Sequence, residues 1–117
     1  MTTWSPASVE KALWETSEEV NRSPYAVNDA YVEMLRTARE YDHAVELAYL
    51  NATGPAHERK YRALSECHEL REAKDVADAA YRLVASQAAA LKVKVETLRS
   101  IGTSVRQAYE NAGRGEW

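Results

Sequence analysis

The sequence predicts an all-α protein, an elongated antiparallel helical hairpin or coiled coil with a short N-terminal helix and a very long C-terminal helix. Three observations carry this. Its 117 residues include four Gly, three Pro and no Phe, and Ala, Glu, Arg, Lys and Leu dominate, a composition that favours helices over strands. Apolar residues recur at alternating steps of four and three over most of the chain, the spacing of a heptad seam. Helix-breaking residues fall in a few places, so the helices between them are long.

Ser5-Pro6 supplies a cap and the proline favoured at the first helical position, and Val9, Leu13, Thr16 and Val20 follow at helical spacing. The first helix is expected over 6–21. Asn21-Arg22-Ser23-Pro24 ends it and repeats the Ser-Pro start. Val27, Tyr31, Met34, Ala38, Tyr41, Val45, Ala48 and Ala52 then give a second helix over 24–53, closed at Thr53-Gly54-Pro55. No further breaker precedes Gly113, so a third helix is expected over 55–112. Its seam runs from Ala63 and Cys67 through Lys74 and Ala77 to Leu91, Val95, Leu98, Gly102, Val105 and Tyr109. The chain reads as a single helical domain.

Helix lengths then set the expected architecture. At 1.5 Å per residue the third helix would reach about 87 Å and the second about 45 Å. The second would cover only the first half of the third, and the short first helix would leave part of the remaining seam bare. A homo-oligomer is the expected cover, through Leu91, Val95, Leu98, Gly102, Val105 and Tyr109; the alternative is a bend near Lys74 or Gly102 that closes a four-helix bundle within one chain. Gly102 keeps the heptad phase of its neighbours, which indicates a close helix approach or a bend, with Ser100, Thr103 and Ser104 beside it. A phosphate-binding glycine loop needs several glycines after a strand, which this stretch lacks.

Catalytic and metal signatures are weak. Glu40 and His43 form a Glu-x-x-His half-motif, but it points away from the seam and has no second pair. His57 and His68 have no matching ligands, and the adjacent Cys67 and His68 diverge around a helix. No enzyme activity, cofactor or metal is expected. Cys67 is the sole cysteine, so no intrachain disulfide forms and a reducing compartment fits. No stretch approaches the roughly 20 apolar residues of a membrane span, and no basic start leads into an apolar run. A soluble, cytoplasmic protein is expected.

Net charge is −3, but it is polarised: residues 1–54 hold four basic and nine acidic side chains, and residues 91–117 hold five basic and three acidic. Two basic groups are candidate nucleic-acid contacts. Arg59, Lys60 and Arg62 surround Tyr61, and Lys92, Lys94, Arg99 and Arg106 flank the late seam. Cations bind phosphates and exposed rings stack on unpaired bases, so such groups suit single-stranded DNA; the alternative is an ordinary solvated helix face. Lys94 and Arg99 would oppose each other in a parallel homodimer, which disfavours a simple parallel zipper.

The closing run Leu98-Arg99-Ser100-Ile101-Gly102-Thr103-Ser104-Val105-Arg106 resembles the ending of a set of small helical proteins encoded by phages of actinobacteria. Residues 41–117 resemble, more loosely, the UvsY-type recombination mediators of tailed phages, through Tyr49, Thr53-Gly54, Leu98-Arg99-Ser100, Arg106 and a terminal aromatic, Trp117. The resemblance implies an oligomer that binds single-stranded DNA and helps load a recombinase while displacing single-strand binding protein, in the cytoplasm of an infected bacterium. The nearest counterpart of that family's short basic motif is Arg59-Lys60-Tyr61-Arg62. A protein-interaction module, a host-factor binder or assembly adaptor without nucleic acid, is the alternative reading.

Overall fold

The computed structural model describes residues 3–113. Three helices follow one another: α1 (Pro6–Asn51), α2 (Ala56–Glu66) and α3 (His68–Gly113). The described residues contain no strand. The protein is all-α, a helical hairpin with a long C-terminal helix.

Both ends of the first helix behave as their residues dictate. Ser5 caps α1: its hydroxyl accepts from the Ser8 amide at 3.1 Å, and the Ser8 hydroxyl accepts from the Ser5 amide at 2.8 Å. This reciprocal pair satisfies two of the donors that a helix start leaves open. At the other end Gly54 adopts φ 102°, a conformation that glycine reaches without steric cost, and Pro55 leads into α2.

Two expected boundaries are corrected. The break at residues 21–24 does not exist, and the expected helices 6–21 and 24–53 are one helix, α1, with Pro24 in its interior. Proline removes the amide that would bond the carbonyl four residues back, here that of Val20. Ser23 replaces it: its hydroxyl donates to the Val20 carbonyl at 2.8 Å. Ser-Pro thus starts a helix at residue 5 and bridges one at residue 23. Conversely, the helix expected over 55–112 is interrupted at Cys67, which takes φ −102° and ψ 14° between α2 and α3. The interruption is local, since the Cys67 amide still bonds the Ala63 carbonyl at 3.2 Å and the Arg71 amide bonds the Cys67 carbonyl at 3.0 Å. Neither Lys74 nor Gly102 breaks α3.

The chain, expected as one domain, divides into two compact units, residues 25–85 and the described residues 3–24 with 86–113. In the first, α1 and the α2–α3 arm run antiparallel, with Tyr31 against Tyr81 (centroids 5.5 Å apart) and the Lys74 ammonium 5.2 Å from the Tyr41 ring centroid. That contact is how a lysine occupies a seam position: its stem covers apolar surface while its charge meets a ring face. Ala63, Cys67, Ala77 and Thr37 are buried, and the Thr37 hydroxyl donates to the carbonyls of Glu33 and Met34, both at 3.0 Å. On the outer side of α1, Arg36 bonds Glu33 and Glu40. The hydrogen bond from Arg36 holds the Glu33 carboxyl below its ordinary range.

In the second unit Val9, Thr16, Val95 and Leu98 are buried. Burying an aliphatic side chain of this size contributes about 1.5–3 kcal/mol. Residues 6–24 of α1 cover this late seam as far as Gly102 and Val105, whereas Tyr109 and Ala112 beyond them are exposed. A Cβ on Gly102 would lie 3.2 Å from Val9 Cγ1, so Gly102 permits a close approach of two helices of one chain.

Candidate nucleic-acid interface

The two candidate basic groups belong to different compact units and do different work. Arg59 and Arg62 fasten the turn. The Arg59 guanidinium lies 5.1 Å from the Tyr49 ring centroid, and its Nε is buried without a hydrogen-bond acceptor. Arg62 donates to the Thr53 carbonyl at 3.1 Å. Lys60 and Tyr61 are exposed, Tyr61 by 70%. Four consecutive helical residues point in four directions, so the stretch forms no single binding patch.

Lys92, Arg99 and Arg106 behave differently. They recur every seven residues on α3, each just after a seam residue, so they share one flank at intervals of about 10.5 Å. All three are exposed. Among the described residues the ion pairs within 4.0 Å are Lys11–Glu15, Arg36 with Glu33 and Glu40, and Arg82–Asp78, so none of the three cations is held by a carboxylate. Lys94 sits apart, on the other flank of α3 beside Glu19 and Gln87.

On α1, Glu10, Ser17 and Asn21 line clefts shared with these cations; Trp14 falls in the same row, at steps of four, three and four, but lines neither cleft. Two clefts lie between the rows. One, of about 330 Å³, has Val9 and Leu13 in its wall with Glu10, Arg99, Gly102 and Arg106. The other, of about 360 Å³, is lined by Ser17, Asn21, Lys92, Glu96 and Arg99 among others. Arg99 borders both, which makes them successive segments of one groove. The missing side chain of Gly102 helps to open its floor. Glu10 and Glu96 temper the positive charge, while Trp14 is 68% exposed, a costly state for a large apolar ring.

Of the candidate oligomer seam, Val95 and Leu98 are buried and Leu91, Gly102 and Val105 half-buried within the chain. Tyr109 is 56% exposed, and Trp117 lies outside the described residues. Glu40 is occupied by Arg36, and the described residues contain no group of three or more His, Cys, Asp or Glu placed to share a metal ion. Reading the sequence found the three cations but missed Trp14. Its signal was present in the 10-14-17-21 spacing, which matters once a second helix is known to run alongside.

No family model, no curated protein and no solved structure significantly matches the chain.

Proposed function

We propose that the protein is a non-enzymatic accessory factor that holds single-stranded DNA along the Lys92–Arg99–Arg106 flank. The observation that supports this reading is that row itself, three exposed cations at regular intervals with no carboxylate holding them among the described residues. A flexible single strand adapts its phosphates to such a row, and Trp14 offers a ring face on which a base stacks. The resemblance to UvsY-type mediators supplies the narrower role, assisting a recombinase to displace single-strand binding protein in the cytoplasm of an infected bacterium.

The test is a salt titration of binding to a labelled single-stranded oligonucleotide. Three phosphate contacts give a slope of log K against log salt of about −2. Arg99→Glu with Arg106→Glu is expected to abolish binding, whereas Lys60→Glu leaves it intact. Absence of binding at low salt refutes the proposal. A protein-interaction role without nucleic acid, as a host-factor binder or assembly adaptor, is the second reading; Tyr25 and Leu50, both 75% exposed, and Val76, 64% exposed, are apolar side chains it would use.

A further inference from the structure

We infer that the cleft at Gly102 holds a guanine base of the bound strand, with Glu10 and Arg106 as the groups that recognise it. This rests on the DNA-binding reading above and adds base selectivity to it.

Two carboxylates sit where a phosphate track has no use for them. Phosphates call for cations, yet Glu10 lines the same cleft as Arg99 and Arg106, and Glu96 lines the next one with Lys92 and Arg99. Against a DNA backbone alone, both would only repel. Neither is spent on an ion pair, since the pairs within 4.0 Å among the described residues involve other carboxylates.

Glu10 has the more telling position. A Cβ on Gly102 would meet Val9 Cγ1 at 3.2 Å, so residues 9 and 10 of α1 lie level with residue 102 of α3. Arg99 stands three residues before that level and Arg106 four after it. A carboxylate on one wall and two guanidiniums on the other therefore border one cleft of about 330 Å³, at the small end of the range of ligand pockets. Val9 and Leu13 make its floor aliphatic, and Gly102 leaves room above it. The Thr103 hydroxyl donates to the Arg99 carbonyl at 3.1 Å, so its proton is committed. Glu10, Arg99 and Arg106 remain as the groups able to bond a planar ligand edge at two points.

That chemistry selects the occupant. The cleft offers a two-oxygen acceptor on one side and a planar two-nitrogen donor on the other. Guanine matches both: its N1–H and N2–H groups donate in parallel to a carboxylate, and its O6 and N7 accept a bidentate guanidinium. None of the other three bases has an edge with two donors, so each leaves the carboxylate poorly matched. Arg99 borders both clefts and falls between successive bases, where a phosphate passes. Of the two clefts Arg106 borders this one alone, and it takes O6 and N7.

Fluorescence anisotropy of the whole chain with labelled oligothymidine strands, identical but for one central base, tests this. A central guanine is expected to bind about tenfold tighter than thymine, the discrimination of one bidentate contact. Glu10→Gln separates base reading from bulk charge. It is expected to strengthen binding of the all-thymine strand, by removing a like charge from the phosphates, and to remove most of the guanine advantage. Equal strengthening of both strands, or no guanine advantage in the wild-type protein, overturns the inference while leaving the DNA-binding reading in place. Arg106→Lys keeps the charge but loses the planar fork, so it is expected to lower guanine affinity more than thymine affinity, and an equal loss overturns the role of Arg106. Inosine, which lacks the N2 amino group, is expected to bind the wild-type protein more weakly than guanine and the Glu10→Gln variant equally; a wild-type protein that does not distinguish them removes Glu10 from the recognition. If no strand binds at low salt, the DNA-binding reading fails and this inference fails with it.

Discussion

Ser23 and Pro24 are expected to be energetically coupled, and a double-mutant cycle measures the coupling. Pro24 leaves the Val20 carbonyl without its helical donor, and the Ser23 hydroxyl supplies one at 2.8 Å. Proline in a helix interior costs about 3 kcal/mol relative to alanine. Against this, alanine frees the unfolded chain by about 0.4–1 kcal/mol. It also displaces a hydroxyl bond worth about 0.5–1.5 kcal/mol. Pro24 is exposed, so little ring packing is lost, and Pro24→Ala is expected to stabilise the protein by about 0.5–2 kcal/mol. Ser23→Ala is expected to destabilise the wild-type protein by about 0.5–1.5 kcal/mol and the Pro24→Ala variant by about zero, because in that variant the new alanine amide bonds the Val20 carbonyl. Urea unfolding of the four proteins at one concentration, followed by far-ultraviolet circular dichroism, reads these differences. An equal cost of Ser23→Ala in both backgrounds, or a loss of stability on Pro24→Ala, refutes the reasoning.

Other positions give further expectations. A Cβ at residue 102 would meet Val9 Cγ1 at 3.2 Å, so Gly102→Ala, which gains about 1 kcal/mol of helix propensity, stays near wild type, whereas Gly102→Leu loses about 1–3 kcal/mol. Thermal unfolding of both checks this, and a fully stable leucine variant contradicts the close approach. Trp14→Ala is expected to weaken oligonucleotide binding by about 1–3 kcal/mol without altering helicity; unchanged affinity in a fluorescence-anisotropy titration removes Trp14 from the interface. Arg36 lowers the folded-state pKa of Glu33 through its hydrogen bond. The resulting stabilisation is present above the ordinary carboxylate pKa and disappears as pH falls through the lowered one. Glu33→Gln should therefore flatten the acid limb of a stability–pH curve, and an unchanged limb shows that the pair is too well solvated to count.

Most of the helical frame was legible because heptad spacing records burial directly. The α3 seam and its α2 extension, from Ala63 to Val105, are buried or half-buried at each position, including Lys74 and Gly102. The false boundary at residue 24 came from treating Ser-Pro as a start signal, when its local chemistry allows two outcomes. The phase decided between them: Val20, Ser23 and Val27 continue the steps of three and four that Thr16 begins, so the buried stripe never breaks. The interruption at Cys67 carried no comparable signal, since the residue holds its seam position and neither Gly nor Pro adjoins it. For the groove, the cations were legible as flanking residues of one helix. Trp14 was not, because its relation to them exists only once residues 6–24 are known to lie alongside 86–113 in one unit.

The lone thiol gives the protein a built-in clock. Cys67 sits where α2 hands over to α3 and is shielded by the helices around it, so a water-soluble alkylating reagent reaches the sulfur when that arm lifts away. Labelling speed at fixed reagent therefore counts how often this end of the molecule breathes, and a compound or partner that clamps it would announce itself by slowing the reaction.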